Sequence, residues 1–188
     1  MATPDFVLEL RRHVGNAPLW MPGCTAVVMR PAGMSDGASS SGDEAGAVSP
    51  VARGWSLGGL RPDELEVLCV RRSDNGAWTP VTGIVDPGEE PAAAAARETL
   101  EEAGVVAEAT RLLGVEVVGP VTYDNGDVTT YLDIAFAMEW IGGEPWPADG
   151  ENTEAAFFRA DRLPRMNERF TRTIARALSG EAAASFLA

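Results

Sequence analysis

Residues 83–105 of this 188-residue chain read GIVDPGEEPAAAAARETLEEAGV, a glycine-bounded turn followed by an alanine-rich segment. Pro91 suits the first turn of a helix, where its fixed φ and missing N–H are tolerated. Gly104 is placed to end that helix in a left-handed conformation. At about 100° per residue, three glutamates share one side of the helix: Glu98, Glu101 and Glu102. Small or apolar residues cover the opposite side: Ala92, Ala96, Thr99, Leu100 and Ala103. The pattern predicts a helix with one packed side and one carboxylate side.

The carboxylate side predicts half of a metal site. Like charges three or four residues apart oppose each other by about 0.2–0.5 kcal/mol per pair, and Arg97 offsets only part of this. Mg²⁺ is usually held by a few carboxylates together with water and substrate phosphates. A solvated acidic face is the alternative for any three glutamates. A fourth carboxylate, Glu89, follows the Pro-Gly turn directly before the helix and favours the metal site.

The spacing of these residues resembles the Nudix box. That box is a glycine, five residues, a glutamate, seven residues, and then Arg-Glu-aliphatic-x-Glu-Glu-x-Gly-aliphatic. The matching residues are Gly83, Glu89, Arg97, Glu98, Glu101, Glu102, Gly104 and Val105. Thr99 departs from the pattern because an aliphatic residue is usual there, but it is a packing position. The resemblance covers about residues 22–178 and implies the Nudix fold, an α/β class with a mixed β-sheet in an α/β/α sandwich. Residues 1–188 are expected to form a single domain.

The resemblance, which is closest to MutT-like members, implies roles for the box residues. Carboxylates and one turn carbonyl are expected to bind Mg²⁺, with Mn²⁺ as an alternative: Glu98, Glu101, Glu102 and Gly83. Glu89 and Arg97 are expected to form a structural pair that holds the turn to the helix, because an arginine fork matches a carboxylate.

A late loop supplies the remaining acidic candidate. Glu151 lies six residues before Phe157, at a spacing similar to that of an acidic residue that reaches the metal site in MutT-like proteins. Asp149 and Glu154 are competitors for the position, and a solvated loop acid is the structural alternative. The catalytic candidates are therefore Glu98, Glu101 and Glu151, and the sequence leaves open whether Glu98 or Glu151 is the general base.

The implied reaction is metal-dependent hydrolysis of the diphosphate bond in a nucleoside diphosphate linked to a further group. Nucleoside triphosphates and ADP-ribose are favoured about equally as substrates. Pro120, 16 residues after Gly104, is a weak cue for ADP-ribose. Three aromatic residues are candidates for stacking on the base, although each could equally be core: Trp78, Tyr123 and Tyr131. The alternative function is a non-catalytic Nudix domain that senses a nucleotide metabolite.

The amino-acid composition argues against some classes of binding partner. The net charge of −13 argues against nucleic acid, whose phosphates need clustered Lys and Arg. The same charge opposes a phosphate substrate unless a cation is bound. Cys24 and Cys69 lie in apolar runs and are predicted to be buried thiols. No apolar run approaches the ~20 residues of a membrane span and no signal peptide is visible, so a soluble cytoplasmic protein without a membrane partner is expected.

Periodicity outlines the remaining elements. Residues 1–21 are predicted as an N-terminal helical extension, with apolar residues that dock on the body or on the second subunit of a homodimer: Phe6, Leu10 and Val14. Residues 31–63 are predicted as a long loop insertion, with a lid as the alternative, and Trp55 could pin its end. Strands are predicted at residues 24–29, 64–72, 114–121 and 129–140. A closing helix is predicted at residues 162–178.

Overall fold

The computed structural model of the protein describes residues 3–35 and 61–186. Within them the chain forms three α-helices: α1 (Asp5–Val14), α2 (Pro91–Ala103) and α3 (Glu168–Ser179). It also forms eight strands: β1 (Leu19–Pro31), β2 (Leu65–Arg72), β3 (Trp78–Thr79), β4 (Val81–Ile84), β5 (Val106–Thr122), β6 (Val128–Gly142), β7 (Asn152–Arg159) and β8 (Ser185–Phe186). A 3-10 helix, Pro62–Glu64, precedes β2. Most of the loop predicted at residues 31–63, with Trp55, lies outside the described residues.

One mixed sheet is built around β1. This strand runs parallel to β6 over residues 19–29 and antiparallel to β2 and β4. The strand order is β3-β2-β1-β6-β5-β8, with β4 attached to β1 and β7 attached to β2. Residues 23–30 of β1 are all buried, which explains their nearly continuous apolar sequence.

Helices α2 and α3 pack against opposite faces of the sheet. Successive side chains of a strand point to opposite faces. Val28 of β1 belongs to the cluster that contains Ala94 of α2, whereas Val27 belongs to the cluster that contains Ile174 of α3. The sandwich of a mixed sheet between helices is therefore confirmed.

Helix α2 begins and ends as predicted but buries a different side. Pro91 opens α2, and Gly104 ends it with φ 66° and ψ 18°. Thr99 is buried as predicted, yet Leu100 is 51% exposed and Glu102 only 5% exposed. The predicted division of the helix is wrong at these two positions because a late loop, and not only the sheet, covers the end of α2.

Several predicted bounds and one predicted packing face differ from the structure. Strand β5 begins at Val106, well before the predicted residue 114. The N-terminal extension ends earlier, since β1 already begins at Leu19. Helix α1 buries Val7, whereas Leu10 and Val14 are 43% and 44% exposed. The closing helix begins only at Glu168, because the side chain of Asn167 caps it by accepting a hydrogen bond from the Phe170 N–H.

Two further predictions concern the thiols and the membrane. Cys24 and Cys69 are both buried and free, as predicted. Among the described residues, no helix is long and apolar enough to cross a membrane. The homodimer stays a prediction.

Candidate active site

The carboxylate of Glu98 lies directly on the backbone of the box turn. Gly83 pairs with Cys24 in the antiparallel ladder of β4 and β1. A Cβ atom on Gly83 would overlap the Glu98 carboxyl group. Glycine at the first box position is therefore a steric requirement for seating Glu98 against β4.

Arg97 ties the turn to the helix. Its Nε and Nη2 donate to the two carboxylate oxygens of Glu89 at 2.9 and 3.0 Å, and Nη2 also donates to the Ile84 carbonyl at 3.1 Å. Its Nη1 donates to Glu98 at 3.1 Å and to Glu101 at 2.9 Å. The hydrogen bonds from Arg97 hold the pKa of Glu89 below its usual range. One guanidinium therefore serves three carboxylates.

The late loop, residues 143–151 between β6 and β7, is hydrogen-bonded to the end of α2 and covers Glu102. The N–H groups of Trp146 and Ala148 donate to the carbonyls of Ala103 and Glu102, both at 3.1 Å. These bonds satisfy two carbonyls that the helix terminus leaves without partners. Gly104 is needed here as well, because a Cβ atom on it would overlap the indole of Trp146.

Asn152, at the start of β7, holds the Glu102 carboxylate. Its Nδ2 donates to Glu102 Oε2 at 2.9 Å, and both side chains are buried. Sequence analysis missed this residue because no box spacing points to it. The available signal was an amide directly after the acidic candidate Glu151, at the point where a strand begins.

Burial and crowding of like charges raise the pKa of two box glutamates. Burial raises the pKa of Glu98 to about 7, with Glu101 and Glu151 adding to the shift and Arg97 opposing it. Burial raises the pKa of Glu102 to about 8, with Glu98 and Glu151 adding to the shift and Asn152 opposing it. The pair is therefore short of positive charge at neutral pH.

Several carboxylates meet in one cleft of about 600 Å³. Glu98 and Glu101 enter it from α2, and Asp149 and Glu151 enter it from the late loop. Of the three competing acids, Glu154 lies elsewhere, in β7, where it pairs with Arg71 at 2.7 Å along the β2–β7 ladder. Glu151 and Asp149 both line the cleft together with Glu98 and Glu101. The role of Glu151 in the reaction stays a prediction.

The predicted aromatic residues pack in the scaffold. Trp78 lies in the cluster on the α3 face, edge to face with Phe158 at 4.9 Å between ring centroids. Trp78 thus lies on the face opposite Glu98, which belongs to the α2 side. The Tyr123 and Tyr131 hydroxyls are hydrogen-bonded at 2.6 Å, and Tyr131 packs in the cluster of Val7 under α1. Direct contact of these tyrosines with a substrate stays a prediction.

The residues of the cleft fit a hard divalent cation. Carboxylate and carbonyl oxygens are its preferred ligands, and Glu98, Glu101 and Glu102 offer such oxygens beside Gly83. In residues 3–35 and 61–186, no three acidic, histidine or cysteine side chains are gathered as ligands of one ion. Two observations support a cation at this site: the Glu98 carboxyl group lies against Gly83, and the pKa values of Glu98 and Glu102 are raised.

Known proteins similar to this chain share the box and the fold. The sequence model of the family described as NUDIX domain matches residues 54–178. The NAD-capped RNA hydrolase NudC of Vibrio cholerae is 34% identical over 107 residues, which are 57% of this chain and 36% of that protein. A MutT-like protein of Streptomyces ambofaciens is 38% identical over 71 residues, 37% of this chain and 46% of that protein. The chain thus matches less than half the length of either relative.

Solved structures show the same fold at low sequence identity. The crystal structure of an ADP-ribose pyrophosphatase from Streptococcus suis superimposes with a TM-score of 0.54 at 17% identity. The match covers 88% of this chain and 96% of that one. At this identity the likeness establishes the fold alone.

Proposed function

The chain belongs to the Nudix family, and from that membership we propose that it is a divalent-metal-dependent pyrophosphohydrolase. Its substrate is a nucleoside diphosphate linked to a further group. The observation that carries this proposal is the pair of buried glutamates, Glu98 in the cleft and Glu102 beneath the late loop, whose pKa values are raised although Arg97 serves three carboxylates beside them.

The metal ligands are the carboxylates of α2 and one carbonyl of the turn: Glu98, Glu101, Glu102 and Gly83. Mg²⁺ is the proposed ion, with Mn²⁺ as a substitute. When bound, it neutralises charge on the phosphoryl oxygens and lowers the pKa of a coordinated water. Arg97 fixes the orientation of Glu98, and Asn152 fixes that of Glu102.

A carboxylate of the cleft accepts the proton of the attacking water. Glu98 and Glu151 both lie where they can do so. A residue that acts on the water contributes mainly in the transition state, so Glu151→Gln lowers kcat and kcat/KM together if Glu151 is the base. Glu154→Gln is the matched control, three residues away and paired with Arg71 outside the cleft. If neither variant is slowed, the role passes to Glu98.

Two substrate classes are supported by the relatives' names. NAD and ADP-ribose both join adenosine to a second ribose through a diphosphate, and they appear in the names of the Vibrio cholerae and Streptococcus suis proteins. The MutT-like name of the Streptomyces ambofaciens protein leaves nucleoside triphosphates level with them. In either class the bond that breaks is a phosphoric anhydride.

The test is a hydrolysis screen of the purified protein with Mg²⁺ and with chelator. Nucleoside triphosphates, ADP-ribose, NADH and dinucleoside polyphosphates are compared by release of phosphate or nucleoside monophosphate. Turnover of at least one with Mg²⁺, and none with chelator, is the expected result. Tight binding of a nucleotide without any hydrolysis would replace the proposal with the metabolite sensor.

A further inference from the structure

One wall of the cleft comes from the start of α1. Ten residues line the cleft, and six of them are acids. Arg97 is a seventh polar residue, and only three residues offer apolar surface: Pro4, Phe6 and Pro87. Phe6 is the one aromatic side chain among these ten. The apolar surface of the cleft is therefore confined to the start of α1 and the box turn, where Asp5 and Asp86 adjoin it.

Helix α1 is anchored firmly enough to form a defined wall. Val7 is 5% exposed and packs with Met21 and Ile84, and Phe6 packs against the same cluster. At the other end of the helix, Arg11 Nη2 donates to the Val128 carbonyl at 3.1 Å, and its side chain is only 11% exposed. Phe6 is thus held between the scaffold and the cleft.

The chemistry of the two parts differs in what each can bind. Phosphate oxygens approach the acids only through a cation, whereas the face of a neutral aromatic ring is stabilised by apolar and aromatic surface. We infer that Phe6, flanked by Pro4 and Pro87, is the platform on which the nucleobase of the substrate stacks. This inference rests on the proposed function and extends it, because it assigns the base to the N-terminal helix.

The test uses two ligands that differ by the base and cannot be hydrolysed at a diphosphate. AMP and ribose 5-phosphate are titrated into the full-length protein by calorimetry at fixed Mg²⁺. Phe6→Leu keeps apolar volume against Val7 but removes the ring, and it should weaken AMP binding about tenfold. Ribose 5-phosphate binding should not change. Phe6→Tyr keeps the ring and should bind AMP as the native protein does.

A control on the same helix separates stacking from support of α1. Leu8 is 45% exposed and does not belong to the cleft, so Leu8→Ala should leave both affinities unchanged. Equal weakening of AMP and ribose 5-phosphate in Phe6→Leu, or unchanged AMP binding, would overturn the inference. Failure of the native protein to bind AMP would overturn it as well. The hydrolysis screen reports separately on the proposed function, since base-dependent binding by Phe6 can hold in a protein that cleaves nothing.

Discussion

Buried carboxylates lie on both faces of the sheet, and the two faces supply them with different partners. On the α3 face, Asp133 accepts hydrogen bonds from Thr25 at 2.8 Å and from Arg169 at 2.9 Å, and Glu116 accepts one from Arg172 at 2.8 Å. Two arginines serve these two acids, since Arg169 also lies 4.0 Å from Glu116. On the α2 face, Arg97 is shared by three carboxylates, and the amide of Asn152 donates to Glu102.

The acids on the α3 face form structural ion pairs with arginines of the chain. The acids on the α2 face have too few such partners and are suited to bind an external cation. Burial raises the pKa of Asp133 as well, with Glu116 adding to the shift and Arg169 and Thr25 opposing it. The pKa of Glu98 reaches about 7 and that of Glu102 about 8, because neighbouring acids add to the effect of burial. The α3 face is complete within the chain, whereas the α2 face gains most from a bound divalent ion.

The largest expected effect is loss of activity on neutralising the α2 face. Glu102→Gln keeps the volume and can still accept the hydrogen bond of Asn152, but it removes a charged ligand. Because metal ligation supplies several kcal/mol of transition-state stabilisation, hydrolysis should fall about a thousandfold. Steady-state kinetics with Mg²⁺ measures this, and circular dichroism checks the fold. Activity within threefold of the native protein would remove Glu102 from the site.

Displacing the Glu98 carboxylate from its position against Gly83 should have the next largest effect on activity. Gly83→Ala places a Cβ atom inside the Glu98 carboxyl group, so the carboxylate must move. A displacement of about 1 Å can cost about a hundredfold in rate. The matched control is Gly23→Ala in the adjacent strand, where the new Cβ atom would meet its nearest neighbours at 3.5 Å, an ordinary contact. Equal activity of the two variants would show that Gly83 does not position Glu98.

Local sequence signals predicted the helix and the turn because each signal acts within a few residues. Pro91 and Gly104 mark the ends of α2, and Glu89 pairs with Arg97 eight residues later. The burial of Glu102 depends on a loop some 45 residues further along the chain, so helical periodicity placed Glu102 on the solvent side and Leu100 on the packed side.

The same limit applies to the contacts made by distant segments. Phe6 reaches the cleft only because α1 packs over β1 and β6, and Asn152 reaches Glu102 only because β7 pairs with β2. Trp78 is a candidate for stacking on the base or for the core, and the side of the sheet on which it lies depends on the register of β3 against β2. These positions are fixed by strand pairing, which the sequence pattern leaves open.

Breaking the ion pair between Asp133 and Arg169 on the α3 face should lower stability and leave the rate of hydrolysis unchanged. Asp133→Asn leaves Arg169 partly buried without its charged partner, and the free energy of unfolding should fall by about 2–3 kcal/mol. Urea denaturation measures the change, and native kcat in the folded variant is the accompanying expectation. A loss of less than about 0.5 kcal/mol in the same assay would contradict the structural role of the ion pair on the α3 face.

The pH dependence of the metal-free protein is a smaller effect. A carboxyl whose pKa is raised on folding stabilises the fold below its unfolded pKa and loses that contribution as the pH rises through the folded pKa. Glu98 and Glu102 should therefore lower stability as the pH rises from about 4.5 to about 8. Urea denaturation in chelator at several pH values measures the slope, which Glu102→Gln should flatten. An unchanged slope in that variant would contradict the assignment.

The most direct test of the contrast between the two faces is the shift in melting temperature on adding Mg²⁺ at pH 8. An ion that binds the native state preferentially raises the melting temperature. Calorimetry should show a rise of a few degrees at millimolar Mg²⁺ for the native protein and for Asp133→Asn, and no rise for Glu102→Gln. An equal rise in Glu102→Gln, or none in the native protein, would contradict the account.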